Sequence, residues 1–253
     1  MRLTPFRVSE EKTVIPDAPP GALERTGLAE RLDPALRRVT VFVGPGGFGK
    51  TTLLADCCRR AALRGDRVIW LSVDENDDGA RVVAHLAHGA DLEWDVGGVG
   101  APQDTARHHL DGLLNAIRSE GQRWVLALDE LERIPESGAR IIDYLIWRGP
   151  ANLHLALACR QLPRTIDIAT PVAEGRGVAV GPDELRFTLP EFREFFDRDL
   201  PRERLQVLWD DSYGWPIAAC LQRNLEKVGK GTSTDLSLNW VAARLMRGVS
   251  NAD

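Results

Sequence analysis

The chain has 253 residues, enough for one large domain or two modest ones, and it can bury a core without disulfide or metal staples. Its 32 basic and 37 acidic residues give a formal charge of −5, which argues against nucleic-acid binding through the bulk surface. No apolar run approaches the roughly 20 residues of a membrane span, Met1 to Phe6 lack an apolar signal core, and Cys57, Cys58, Cys159 and Cys220 show no framework spacing, so a reducing cytoplasm is the expected location.

Residues 1–21 carry Pro5, Pro16, Pro19 and Pro20 and read as an extended lead-in. The spacing of Leu23, Leu28, Leu32 and Leu36 predicts a helix over 23–36, interrupted by Pro34. From residue 38, apolar strands alternate with helices. Strands are expected at Val39–Val43, Val68–Val73, Trp124–Leu128, Leu153–Cys159 and Gly177–Gly181, and helices at Lys50–Leu63, Ala80–Ala90, Thr105–Ser119 and Ser137–Trp147. Strands that are apolar on both faces and separated by helices imply an α/β fold, with a parallel sheet covered on both sides. Past Pro182 the pattern is helical only: Leu189–Asp197, Arg202–Trp209, Pro216–Val228 and Asn239–Arg247, the last stopped by Gly248. The expected division is a lead-in over 1–21, an α/β domain over 22–182 and a small all-helical domain over 183–253.

The chemistry starts at Gly44-Pro45-Gly46-Gly47-Phe48-Gly49-Lys50-Thr51-Thr52, which fits G-x-x-x-x-G-K-[ST] between a strand and a helix. Glycines at these positions let backbone N–H groups curl around phosphate oxygens, and the helix amino end adds positive potential. Lys50 would reach the β and γ phosphates, and Thr51 would offer its hydroxyl to Mg2+. At this chain's own residue frequencies, only about 0.003 such matches are expected by chance. Gly44, Gly46 and Gly49 also satisfy a dinucleotide fingerprint, but that fold does not require Lys50-Thr51, and Lys50 is one of only four lysines.

A second motif is the apolar strand from Trp124 that ends in Asp129-Glu130. An Asp at the end of a neighbouring strand holds the Mg2+ shell of a P-loop NTPase, and a following Glu can position or deprotonate the attacking water. Asp129 is therefore the expected metal residue and Glu130 the expected base. The acidic run Asp74-Glu75-Asn76-Asp77-Asp78 competes for the role, but reads better as a solvated turn and helix N-cap. No Cys/His spacing supports zinc, and Cys57-Cys58 reads as core packing.

The stretch Val43 to Leu54 resembles the phosphate loop of STAND signal-transduction ATPases. More narrowly, it is similar to the large LuxR-type ATP-dependent transcription regulators, of which the maltose-regulon activator is the type member. Further similar segments follow in the family's order: Leu23-Glu24-Arg25, Ile69 to Asp77, Leu157-Ala158-Cys159-Arg160, Glu184 to Thr188 and Gly214-Trp215-Pro216. One departure is Asp129-Glu130 where the family usually carries two aspartates. The resemblance implies a P-loop NTPase with sheet order 5-1-4-3-2 and a helical lid, with ATP or ADP and Mg2+ as cofactors. It implies Arg160 as a γ-phosphate sensor, and Arg25, Leu23 and Pro216 close to the adenine. It also implies slow hydrolysis serving a transcriptional switch, with self-association in the ATP-bound state. Family members continue into a winged helix, a repeat-rich sensor and a C-terminal helix-turn-helix. This chain is thus expected to be the N-terminal module of a longer regulator, with no specific DNA binding of its own. The alternatives are a small-molecule phosphotransferase and a scaffold that holds ADP without hydrolysis.

Overall fold

A computed structural model of the chain describes residues 9–91, 103–196 and 200–228. The elements run in the order α1 (Glu10–Thr13), α2 (Thr26–Arg31), β1 (Val39–Val43), α3 (Lys50–Leu63), β2 (Arg67–Ser72), α4 (Gly79–Gly89), α5 (Gln103–Glu120), β3 (Trp124–Asp129), α6 (Glu136–Arg148), β4 (Leu153–Cys159), α7 (Ala169–Ala173), β5 (Gly177–Val180), α8 (Pro182–Leu185), α9 (Leu189–Phe195), α10 (Arg202–Ser212) and α11 (Pro216–Val228). Single 3-10 turns stand at Pro34–Leu36 and Leu131–Arg133.

The five strands form one all-parallel sheet in the order β2-β3-β4-β1-β5. Read from its other edge, this is the expected 5-1-4-3-2. Alternation along the strands divides the core. Val41, Leu126, Leu128, Leu155 and Leu157 point to the face covered by α4, α5 and α6. Phe42, Trp70, Val125, Ala127, Ala156 and Ala158 point to the other, where α3 lies with Leu53, Leu54, Cys57 and Cys58. The alanines on that face leave room for α3 to approach the sheet. Burial pushes the Cys57 thiol up to about 12 and raises Cys58 as well, so neither is a thiolate and both act as small apolar fillers. A third apolar cluster, built on Phe187, Phe192, Phe195, Phe196, Leu205 and Leu208, holds α9, α10 and α11 together. Thr188 starts α9 with a capping box, in which its side chain and that of Glu191 satisfy each other's backbone N–H groups.

Three expectations need correction. The helix predicted over 23–36 exists only as α2. Pro34 lacks an N–H donor, and the chain reforms there as a 3-10 turn capped by Asp33, whose side chain accepts the Ala35 N–H at 2.9 Å. The lead-in contains a helical turn, α1, with Glu10 and Glu11 at its favourable amino end. The acidic run after β2 is only partly solvated. Asp78 caps α4 by accepting the Arg81 N–H, but Asp77 is fully buried. Its Oδ2 lies 2.5 Å from Lys12 Nζ and accepts the Asp74 N–H at 2.8 Å, while Oδ1 is 3.3 Å from His85 Nε2. The helix expected at Asn239–Arg247, its Gly248 stop and the end of Leu189–Asp197 lie outside the described residues.

Candidate functional site

In an open parallel sheet, ligands meet the crevice beyond the carboxyl ends of the strands. The ends of β1, β3 and β4 deliver the loop 44–49, Asp129 and Arg160 to that side. Gly47 and Gly49 take φ values of +77° and +75°, a conformation that side chains with a Cβ rarely adopt. The loop therefore folds back tightly before α3 begins at Lys50. Lys50 Nζ donates to the carbonyls of Gly44 at 2.6 Å and Pro45 at 2.9 Å, which holds the ammonium over the loop. Burial lowers its pKa, and the neighbouring carboxylates of Glu132 and Asp129 oppose that fall.

A cavity of about 860 Å³ opens here. Its walls include Gly46, Gly47, Phe48, Gly49, Lys50, Thr51 and Thr52 from the loop and α3, together with Asp129, Glu130 and Arg160. Leu23, Arg25 and Pro216 also line it, so of the residues expected to touch the nucleotide or its metal only Gly44 stands outside the wall, and the competing acidic run Asp74 to Asp78 is not part of it. Gly44 instead anchors the loop to the sheet through its N–H, which donates to the Cys159 carbonyl at 3.1 Å. Volumes of this size suit a small-molecule or cofactor site.

Asp129 ends a fully buried strand. Burial pushes its carboxyl above the usual range, and a hydrogen bond from the Thr51 hydroxyl offsets part of that rise. Both residues line the cavity, which puts two hard oxygen donors on one wall. Glu130 follows with φ 56° and ψ 35°, a left-handed conformation that costs a non-glycine residue on the order of 1 kcal/mol. The strain turns the chain sharply off the strand, into the 3-10 turn Leu131–Arg133. Glu130 Oε2 accepts from Arg133 Nη1 at 2.8 Å, and Arg133 Nη2 reaches Glu75 at 2.6 Å. Arg160 stands one residue past β4, with its Nε 3.3 Å from Glu132 Oε1.

The far wall is built by a strap, residues 18–25, and by the helices after residue 186. The Arg25 guanidinium is largely engaged: Nε donates to Glu191 at 2.8 Å, Nη1 to the Leu185 carbonyl at 2.8 Å and Nη2 to the Arg186 carbonyl at 2.8 Å. It therefore ties the strap to the start of α9. Gly214, at φ 70°, turns the chain into Trp215-Pro216. There the Ile217 N–H at the start of α11 donates to the Gly47 carbonyl at 3.1 Å, and the Trp215 ring lies 6.0 Å from Phe48. Sequence reasoning missed several wall residues, charged ones among them. Glu132 sits in the same acidic run as Asp129 and Glu130, which could have flagged it. Arg59 and Arg223, which donate to the Pro16 carbonyl at 2.7 Å and the Gly21 carbonyl at 2.8 Å, carry no local signal.

No family model matches the chain. In sequence it is 28% identical over 257 residues to the serine/threonine-protein kinase PknK of Mycobacterium tuberculosis, covering 94% of this chain and 22% of that protein. It is also 28% identical over 219 residues to the HTH-type transcriptional regulator MalT of Cronobacter sakazakii, covering 79% of this chain and 24% of that one. In structure it matches the Walker-type ATPase PABY2304 of Pyrococcus abyssi with a TM-score of 0.57 at 16% identity, over 91% of this chain and 75% of that one. The chain thus has the fold of a P-loop NTPase, and its sequence is similar to segments of PknK and MalT. The module spans less than a quarter of the length of these curated relatives. Among its described residues, no helix is long and apolar enough to cross a membrane, and no cluster of three or more His, Cys, Asp or Glu side chains is arranged to hold a metal ion.

Proposed function

We propose that the module binds ATP or ADP with Mg2+ in this cavity and acts as the nucleotide switch of a STAND-type signal-transduction ATPase controlling transcription, with slow hydrolysis as its timer. The observation that carries the reading is the composition of the cavity wall. The phosphate loop forms one side, the strap and helices after residue 186 form the other, and the Ile217 N–H on the Gly47 carbonyl joins them directly. A ligand held between two such bodies can favour one arrangement of them, to the extent that it binds that arrangement more tightly. Residues 183–228 are the lid in this reading, and residues 22–182 the nucleotide-binding domain.

Loop N–H groups from Gly46 to Thr51 and the Lys50 ammonium would cradle the phosphates. Thr51 and Asp129 fit Mg2+, which takes one or two protein oxygens and completes its shell with water and phosphate, so a cage of three acids is not required. When bound, Mg2+ neutralises charge on the phosphate oxygens. Glu130, at the strained turn, would position the attacking water, and Arg160 would meet the γ-phosphate. Leu23 and Pro216 offer an apolar floor for the base, while Arg25 holds the strap that carries Leu23.

The test compares wild type with Glu130→Gln. Substitution should leave ATP affinity near normal and reduce phosphate release by a factor on the order of 10² to 10⁴, the usual contribution of a general base. Wild-type turnover that rises on addition of a small hydroxyl acceptor would favour the phosphotransferase. Tight nucleotide binding with no turnover would leave an ADP-holding scaffold. Equal hydrolysis by the two proteins removes Glu130 from the chemistry.

A further inference from the structure

The 3-10 turn Leu131–Arg133 gives a partner of opposite charge both to Glu130, assigned to the attacking water, and to Arg160, assigned to the γ-phosphate. Arg133 holds Glu130, and Glu132 holds Arg160. The second pair is built from two contacts. Glu132 Oε2 accepts the backbone N–H of Arg160 at 3.0 Å, while Oε1 faces the side-chain Nε at 3.3 Å. One carboxylate thus grips the arginine by main chain and by head group. Its own side chain is 23% exposed against 43% for Arg160, so the guanidinium is the freer of the two. Both residues line the cavity with Lys50, Thr51 and Asp129, and Glu132 supplies the largest carboxylate attraction felt by the Lys50 ammonium.

We propose that Glu132 is the positioning residue that sets the preference of the module for a nucleoside triphosphate over a diphosphate, because it is the internal anion that competes with the γ-phosphate for Arg160. The proposal rests on the nucleotide-switch reading above. A guanidinium stays charged under all relevant conditions, and its planar fork suits a carboxylate or a phosphate equally well. With a diphosphate in the cavity, Arg160 stays on Glu132. With a triphosphate, Arg160 gains the γ-phosphate and loses the Glu132 side-chain contact. The difference between ATP and ADP affinity is the new contact less the old one, so the strength of the Glu132 pair sets how far the γ-phosphate can shift the switch. The Arg160 N–H stays on Glu132 in both states, which fixes the pivot while the head group moves.

Glu132→Gln keeps the size and an acceptor for the Arg160 N–H, and removes the charge. Dissociation constants for Mg-ATP and Mg-ADP are measured by calorimetry on the whole chain as wild type, Glu132→Gln, Arg160→Met and the double variant. Glu132→Gln should raise the ratio of ATP to ADP affinity about two- to fivefold, the range a partly exposed ion pair gives. In the Arg160→Met background the same substitution should leave the ratio unchanged. Glu132→Ser, which also removes the main-chain anchor, should move the ratio in the same direction and guards against an effect peculiar to glutamine. An equal rise in both backgrounds overturns the proposal, since Glu132 would then repel phosphate without Arg160. A ratio that ignores Glu132 but falls in Arg160→Met overturns it too, while leaving Arg160 as the γ-phosphate reader. A ratio unmoved by Arg160→Met removes both the sensor and its competitor.

Discussion

Lys12→Met should loosen the contact that ties the amino-terminal segment to the sheet. Lys12 Nζ reaches Asp77 at 2.5 Å and Asp74 at 2.9 Å. Asp77 is completely buried, and burial alone would push its carboxyl up. Hydrogen bonds from His85, Lys12 and the Asp74 N–H outweigh that and hold it at about 2, against an ordinary 3.8. A carboxyl lowered on folding adds stability above its unfolded value, and that stability is lost as pH falls through the folded value. The shift corresponds to about 2 kcal/mol at pH 7, fading between about pH 4 and pH 2. Lys12 is one of three donors to the carboxylate, so its loss should cost about 1 to 2 kcal/mol at pH 7. The assay is urea unfolding of both proteins from pH 7 down to pH 2, read as midpoint and slope. Both proteins should start to lose this stability near the same pH, set by the unfolded carboxyl, but the variant should lose less and level off at a higher pH than wild type, so that the two curves converge once Asp77 is protonated in both. Equal midpoints at pH 7, or a gap that persists unchanged in acid, would refute the role given to this ion pair.

Gly214→Ala should destabilise by about 2 to 4 kcal/mol, because φ is +70° and a Cβ there would stand 2.5 Å from the Phe187 carbonyl oxygen; thermal unfolding reads the loss. Asp129→Ala should weaken Mg-ATP binding while leaving metal-free ATP binding less affected, which titration with and without EDTA separates. The chain should not retard a duplex promoter fragment specifically at physiological salt, given its charge of −5, and a sequence-specific shift would contradict this.

The sheet was legible because its strands are short, apolar runs with glycine and proline between them, and because two-sided burial leaves few alternatives to a parallel order. The loop at Gly44–Thr51 was legible because each of its residue types answers one geometric demand, as the left-handed Gly47 and Gly49 show. What escaped was pairing. Nothing local in Asp74 to Asp78 says that Asp77, rather than its neighbours, is buried against Lys12 some 65 residues away. Glu132 and Arg160 are separated by 28 residues and meet only because β3 and β4 are adjacent. The partners of Arg25 escaped too. Its donors close on Glu191 and the carbonyls of Leu185 and Arg186, contacts that span about 160 residues and have no sequence signature.

The central claim is that the loop at Lys50 holds the phosphates of a nucleotide, and calorimetric titration of Mg-ATP into wild type and Lys50→Ala tests it most directly. Charge-assisted hydrogen bonds contribute about 1.5 to 3 kcal/mol, so the variant should bind at least about tenfold more weakly or show no heat, with unchanged circular dichroism. Equal ATP affinity in the two proteins would contradict the account.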